Sequence, residues 1–422
     1  MNEVILKPHQ IQAMNAVKGF TNVAFYLDCG LGKTFVGSEK LIDFNNTINL
    51  VVCQKSKVKD WLNHFKEHYN NYYVWDLTKK SDFECFLEPH GIKEVGVINY
   101  DLLYRRNELL KLKDFTLMLD ESSLIQNEAT KRAKFVLKMK PKNTILLSGT
   151  PVSGGKYEKL WSQCKLLGWD ITKKSYWDKY VNFNYQTFNG SLFYPIKVVI
   201  GYKNVEDLKL NLRNYGAYFL KSDEVLNLPE QNFITVNVPT IKEYKKFMKD
   251  RMVTIDNVEL VGDNSLNKLL YARQLCGSYN SNKLEAFKDL IDSSEDRWIV
   301  FYNFNAELEV LKNIVKDRLI STVNGSIKDL RAYETKDNSI TFIQYQAGAM
   351  GLNLQKANKI IYFTLPLSCE NYMQSLKRIH RINQTKACFY YFLMCDGSVE
   401  TKILNTLKKG EDYTNNLFEK EF

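Results

Sequence analysis

Short, almost continuously apolar runs alternate along this chain with segments whose apolar residues recur every three or four positions. The first such runs fall at 22–28, 47–53, 95–100, 115–119 and 143–148. A strand apolar at every position is covered on both faces, as in a parallel sheet. Amphipathic segments at 57–68 and 129–139 fall between them. Strands alternating with helices predict a parallel sheet with right-handed crossovers. A second set of runs at 297–303, 340–345, 359–365 and 387–394 comes with helical patterns at 281–292, 305–318 and 369–382. The expected fold class is therefore α/β, with one lobe over residues 1–230 and a second over 231–422. Two such lobes suggest a cleft that a ligand could close.

The stretch at 155–280 is less regular and rich in Lys and aromatics: Tyr176, Trp177, Tyr180, Phe183, Tyr185, Phe188, Phe193 and Tyr194. A small helical insertion with its own core is the expectation here, because aromatics more often fill cores. The competing reading is a surface on which nucleic-acid bases stack. The part before 231 goes with the first lobe, and the part up to about 280 leads into the second.

Composition narrows the class. Of 422 residues 45% are hydrophobic, enough for ordinary globular cores. A net charge of +10 suits a polyanionic partner. The eight cysteines form no C-x-x-C pair, which points to free thiols rather than a zinc cluster or a disulfide scaffold. No apolar run is long enough to span a bilayer and no leader-like segment opens the chain, so the expected location is the cytoplasm.

Candidate chemistry gathers at strand ends. Gly30-Leu31-Gly32-Lys33-Thr34 follows the first apolar run and opens a helical pattern. Backbone N–H groups of such a turn cradle phosphate oxygens, Lys33 reaches the β/γ-phosphates and Thr34 ligates Mg²⁺. Leu27 takes the place of the loop's usual first glycine. Asp120 and Glu121 end an all-apolar strand, where one carboxylate can hold Mg²⁺ and its neighbour can orient water. Ser148-Gly149-Thr150-Pro151 ends the next strand and is placed to sense the γ-phosphate. Arg378 and Arg381 are three residues apart in a helical pattern, so they are expected on one helix face, where two guanidinium groups can stabilise a transferring phosphoryl group. His64-Phe65-Lys66-Glu67-His68 also fits H-x-x-E-H, an inverted zinc-protease pattern, with no recognisable third ligand.

In this order these stretches resemble superfamily 2 helicases, specifically the SNF2 family of DNA translocases. Leu6–Gln10 resembles the adenine-recognising Q motif, and Val51–Ser56 with Trp61 resembles motif Ia. Asp120–Ser123 is similar to motif II, with Ser123 where histidine is usual, and Thr150-Pro151…Leu160-Trp161-Ser162 to the family's G-T-P…L-W-S stretch. Phe219–Val225 with Leu228-Pro229, and Ser281–Leu284, resemble landmarks that set SNF2 apart from other branches. Val300–Phe304, Asn324–Ser326, Gln346–Leu354 and Gln374–Gln384 resemble motif IV, its D-G-S partner, motif V and motif VI.

The resemblance implies two tandem RecA-like lobes, use of ATP with Mg²⁺, and DNA as partner through backbone contacts. It implies nucleotide contacts from Gln10, Gly30, Leu31, Gly32, Lys33, Thr34, Gly351 and Gln374, and metal ligation by Thr34 and Asp120. Catalysis is implied for Lys33, Asp120, Glu121, Arg378 and Arg381, the two arginines acting as a finger supplied in cis. Nucleic-acid contacts are implied near Lys55, Ser56, Asn99, Tyr100, Asn303, Gly325, Ser326 and Gln346. A compact monomeric motor of the bacterial or bacteriophage type, acting in replication, recombination or repair, is the expectation. An RNA helicase of the DEAD or DEAH type and an ATPase-dead nucleic-acid scaffold are the alternatives.

Overall fold

The computed structural model describes residues 4–88, 90–187, 195–345 and 352–418. Two compact units divide the chain, Met1–Val225 with Tyr413–Phe422, and Leu226–Asp412. In the first unit the apolar runs become β1 (Asn22–Leu27), β2 (Ile48–Cys53), β4 (Glu94–Asn99), β5 (Phe115–Asp120) and β6 (Asn143–Ser148), joined by β3 (Tyr73–Asp76) and β9 (Ala217–Leu220). They form one parallel sheet in the order β3-β4-β2-β5-β6-β1-β9. The inner strands are buried along almost their whole length, which is why their sequences read as unbroken apolar runs. The two strands that left no such signal are the edges, each four residues long and covered less completely.

Register aligns the ends that matter. Tyr26 lies opposite Ser148, Leu27 opposite Leu220, and Asp120 opposite Leu147. All strands of this sheet run the same way, so the segments after β1, β2, β4, β5 and β6 emerge along one edge. The order of the sheet reverses around β1, the kind of position where open α/β sheets take ligands.

The second unit repeats the plan. Its sheet runs β10-β18-β17-β13-β16-β14-β15, with β10 (Gln231–Val238), β13 (Trp298–Tyr302), β14 (Ile320–Val323), β15 (Lys328–Asp329), β16 (Ile340–Gln344), β17 (Lys359–Tyr362) and β18 (Cys388–Cys395). Only the β14–β15 pair is antiparallel among them. Beneath this sheet lies a buried ion pair. Lys283 Nζ donates to both carboxylate oxygens of Glu400 at 2.7 and 3.0 Å, and the Cys395 N–H donates to the same carboxylate at 2.9 Å. Burial opposes the Lys283 charge, yet Glu400 outweighs it and holds the pKa of Lys283 above its usual value.

Residues 155–280 carry helices, Lys173–Tyr180 and Val205–Asn214 in the first unit and Lys242–Asp250 and Ser265–Cys276 in the second. Two antiparallel hairpins accompany them, β7 (Val181–Gln186) with β8 (Ile196–Tyr202), and β11 (Met252–Ile255) with β12 (Val258–Val261). Tyr176 and Tyr180 are fully buried, their hydroxyls donating to Tyr157 O and Asp207 Oδ2 at 2.7 and 2.6 Å, so these two rings are core. Tyr185 on β7 is exposed. Phe188, Phe193 and Tyr194 lie outside the described residues.

Candidate functional site

The turn between β1 and the helix Lys33–Phe44 is built by two glycines. Gly30 and Gly32 sit at φ 88° and 75°, the left-handed region that side chains disfavour. At Gly32 a Cβ would also lie 2.2 Å from Gln10 Nε2, so any larger residue would displace the Gln10 amide as well as strain the backbone. Leu31 between them is buried. Lys33 and Thr34 are the first two residues of the helix, where backbone N–H groups have no intrahelical acceptor and the helix dipole favours an anion. The Lys33 ammonium donates to Leu27 O at 2.9 Å and Asp28 O at 3.4 Å. Burial opposes its charge, but the electrostatic influence of Cys29, Glu121, Asp28 and Asp120 outweighs that and raises its pKa, so Lys33 is a cation near neutral pH.

Gln10 braces this turn from the helix Pro8–Ala16. Its amide donates to Leu31 O at 3.2 Å and Gly32 O at 3.4 Å, and its Oε1 accepts from Lys7 N at 2.8 Å. The expected adenine-binding residue is thus wired to the phosphate loop. On the other flank Ser222 Oγ donates to Asp28 Oδ2 at 2.6 Å, and Asp28 N donates to Leu220 O at 3.0 Å, so β9 and the residues after it anchor the start of the loop.

The acidic pair faces the lysine. Asp120 is the last residue of β5, and Glu121 follows in the left-handed region at φ 54°. A non-glycine residue held there is over-determined by its surroundings, as at many reaction centres. Tyr100 OH donates to Asp120 O at 2.9 Å, and Ser148 Oγ lies 3.3 Å from Glu121 Oε2. Trp61 Nε1 donates to Asp120 Oδ2 at 2.8 Å. Burial raises the pKa of Asp120, while the Trp61 bond and the Lys33 charge oppose the rise. Gly149 closes the group, since a Cβ there would stand 3.1 Å from Lys33 Nζ and 3.3 Å from Cys29 Sγ.

These residues fit a nucleoside triphosphate with a divalent cation. A helix N-terminus and a cationic lysine suit phosphates, and oxygen donors at Thr34 and Asp120 suit a hard cation such as Mg²⁺.

Two residues that tie the site together were not singled out for such a role from sequence. Trp61 was read only as part of a motif. Gln163 left no trace, since Ser162 and Lys165 beside it are polar too. It is fully buried on the helix Trp161–Leu166, with hydrogen bonds to Tyr26, Ser122 and Pro151.

The expected nucleic-acid contacts divide. Lys55 and Ser56 form an exposed turn after β2. Gly325 and Ser326 form an exposed turn between β14 and β15, closed by Asn324 Oδ1 accepting from Ser326 N and Ile327 N at 2.9 and 2.8 Å. Tyr100 has a buried ring and donates its hydroxyl to Asp120 O, so it supports the acidic pair. Asn99 beside it is buried as well. Asn303 is half-buried and spends its amide on Thr364 and Leu365. Gln346 and Gly351 lie outside the described residues.

Arg378 and Arg381 are corrected in one respect. Their helix spans Cys369–Leu376 and stops before them, so Arg378 lies in the turn that follows and Arg381 in the bend after it, not on a helix face. Arg378 is buried, with its carbonyl accepting from Leu354 N at 3.1 Å, and the half-buried Arg381 reaches Leu352 O at 3.4 Å. Gln374 is buried on that helix, 3.3 Å from Glu370 Oε1. His64 lies 3.0 Å from Ser38 Oγ and sets its ring edgewise to Phe35, while Glu67 is exposed, so H-x-x-E-H here is a packing contact between two helices.

Comparison with known proteins gives the family. The SNF2-related domain matches residues 14–281, and the helicase conserved C-terminal domain matches 282–383. The mouse SWI/SNF-related matrix-associated actin-dependent regulator of chromatin subfamily A member 1 is 24% identical over 94% of this chain and 42% of its own. The putative ATP-dependent helicase/translocase YwqA of Bacillus subtilis is 22% identical over 99% of this chain and 49% of its own. The chain therefore spans less than half the length of these relatives. A solved structure, the Sulfolobus solfataricus SWI2/SNF2 ATPase core in complex with dsDNA, is 20% identical over 98% of this chain and 93% of its own, with a TM-score of 0.45. Since the SNF2-related match alone takes in more than half of the 422 residues, the chain belongs to the SNF2 family of superfamily 2.

Proposed function

We propose that this chain is a DNA-dependent ATPase that turns ATP hydrolysis into movement along duplex DNA, remodelling structures met in replication, recombination or repair. The observation that carries the proposal is the half-buried, cationic Lys33 at a helix N-terminus with Asp120 and Glu121 beside it. Bound Mg²⁺–ATP supplies the phosphoryl group and neutralises the charge that develops as it transfers. The loop Gly30–Gly32 and Lys33 bind the phosphates. Thr34 and Asp120 hold the cation. Glu121 orients the attacking water and takes up its proton at the carboxylate. Gln10 meets the adenine and, through Leu31 O, ties base binding to the loop. Arg378 and Arg381 stabilise the transferring phosphoryl group, and Gln374 and Gly351 assist at the nucleotide.

The exposed turns at Lys55–Ser56 and Gly325–Ser326 grip the DNA backbone, and the same role is assigned to Asn303 and Gln346. Contacts to phosphate carry little sequence information, so binding is sequence-independent and falls with salt at a slope of about −0.9 per phosphate neutralised. The test is an ATPase assay with no nucleic acid, duplex DNA, single-stranded DNA and RNA, run on wild type and Arg381→Ala. Duplex DNA is expected to stimulate most, and Arg381→Ala to bind ATP yet turn over slowly. Stimulation by RNA alone would move the chain to the DEAD/DEAH type, and no hydrolysis on any substrate would make it a binding scaffold.

A further inference from the structure

Gln163 touches three separate segments of the candidate site. Its Oε1 accepts from Tyr26 OH at 2.9 Å and from Ser122 Oγ at 2.7 Å, and its Nε2 donates to Pro151 O at 2.7 Å. The orientation of the amide is fixed, because the Pro151 carbonyl can only accept and so must meet the NH₂. Tyr26 belongs to β1, which feeds the phosphate loop. Ser122 follows Glu121 directly, and Pro151 ends the Ser148-Gly149-Thr150 stretch. Gln163, Tyr26 and Ser122 are all fully buried, so these bonds are unscreened and strongly directional. Lys33, the acidic pair and Gly149 are thus braced by one side chain that contacts none of them in the bonds described.

We propose that Gln163 is a positioning residue that sets the phosphate loop, the acidic pair and the strand end after β6 in register for hydrolysis. The proposal rests on the ATPase reading above. Three strands hydrogen-bonded along their lengths still leave the loops beyond them free to pivot. A hydrogen-bonded hub placed just behind those loops removes that freedom. Misplacement of about 1 Å far from the chemistry can cost about a hundredfold in rate.

The experiment uses the full chain and compares wild type, Gln163→Leu, and the triple variant Tyr26→Phe/Ser122→Ala/Gln163→Leu. Gln163→Leu leaves two buried hydroxyls and one carbonyl without this partner, so a lower Tm is expected from structure alone. The triple variant removes both hydroxyl donors along with the amide. Apolar replacement of hydrogen-bonded partners is close to neutral for stability, so its Tm is expected to return part of the way toward wild type, the Pro151 carbonyl alone still lacking its donor. Its DNA-stimulated kcat is expected to stay about ten- to a hundredfold down, with KM for ATP within about threefold of wild type. Recovery of kcat together with Tm would reduce Gln163 to a core residue and overturn the proposal.

Hydrogen exchange on the same proteins without nucleotide gives a readout that needs no turnover. In Gln163→Leu, amides at 28–33, 120–123 and 148–152 are expected to exchange faster together. Faster exchange confined to 160–166 would also overturn the proposal. A wild-type chain that hydrolyses no ATP while its Gln163→Leu variant shows the three-segment effect would refute the ATPase reading and leave the brace standing.

Discussion

Trp61→Phe isolates one bond at the metal-holding carboxylate. The indole N–H sits 2.8 Å from Asp120 Oδ2, and the ring is buried in a stack on Phe65, with centroids 5.9 Å apart. Phenylalanine keeps an aromatic ring in that stack but cannot donate. A hydrogen bond to a charged group contributes about 1.5–3 kcal/mol, which corresponds to a roughly ten- to hundredfold change in the proton equilibrium of the acceptor. Burial already raises the pKa of Asp120, and the Trp61 bond opposes that rise. Loss of the bond therefore favours the protonated acid, which cannot hold a cation. The acid limb of kcat/KM for ATP is expected to move to higher pH, with the deficit relative to wild type growing as pH is lowered. A double-mutant cycle on stability with Asp120→Ala, in the nucleotide-free protein, should give a coupling of about 1.5–3 kcal/mol. An unmoved acid limb together with coupling under about 0.5 kcal/mol would refute the assignment of Trp61 as the group that keeps Asp120 ionised.

Lys33→Ala is expected to abolish DNA-stimulated ATP hydrolysis while leaving DNA binding measurable by fluorescence anisotropy; wild-type turnover would end the assignment of the phosphate loop. Glu400→Gln strands the Lys283 ammonium in the core of the second unit, and urea unfolding should show a loss of about 3–5 kcal/mol in that unit. Replacing the pair as Lys283→Met/Glu400→Leu should be far milder, because neither charge is left unpaired. His64 is held down to about 4, by burial first and by His68 second. The unfolded chain therefore takes up a proton near pH 6.5 that the folded chain refuses, so the associated stability is present above that pH and lost as pH falls through about 4. His64 is partly exposed, so screening limits the effect to about 1–2 kcal/mol, and denaturant unfolding of wild type and His64→Gln at pH 7 and pH 4.5 measures it.

Sequence alone determined a good deal here, because some signals are local. A strand covered on both faces must be apolar throughout, so β1, β2, β4, β5 and β6 announced themselves, as did β13, β16, β17 and β18. A phosphate turn needs left-handed backbone, so Gly30 and Gly32 marked it, and the acids were visible because charge directly after such a strand is out of place. What stayed hidden depends on partners far away in the chain. Edge strands β3 and β9 are only four residues long and β10 is covered on one side, so none of them shows a long unbroken run. Arg378 and Arg381 keep helical spacing, yet their helix ends at Leu376, an outcome that contacts with Leu352 and Leu354 share in setting. Tyr100 could have faced solvent or the acidic pair, and only the placing of β4 next to β2, whose other neighbour is β5, chose. Trp61 and Gln163 are bound to atoms 59 and 137 residues away, Asp120 and Tyr26, and a single sequence carries no mark of which distant donor and acceptor the fold will bring within 3 Å.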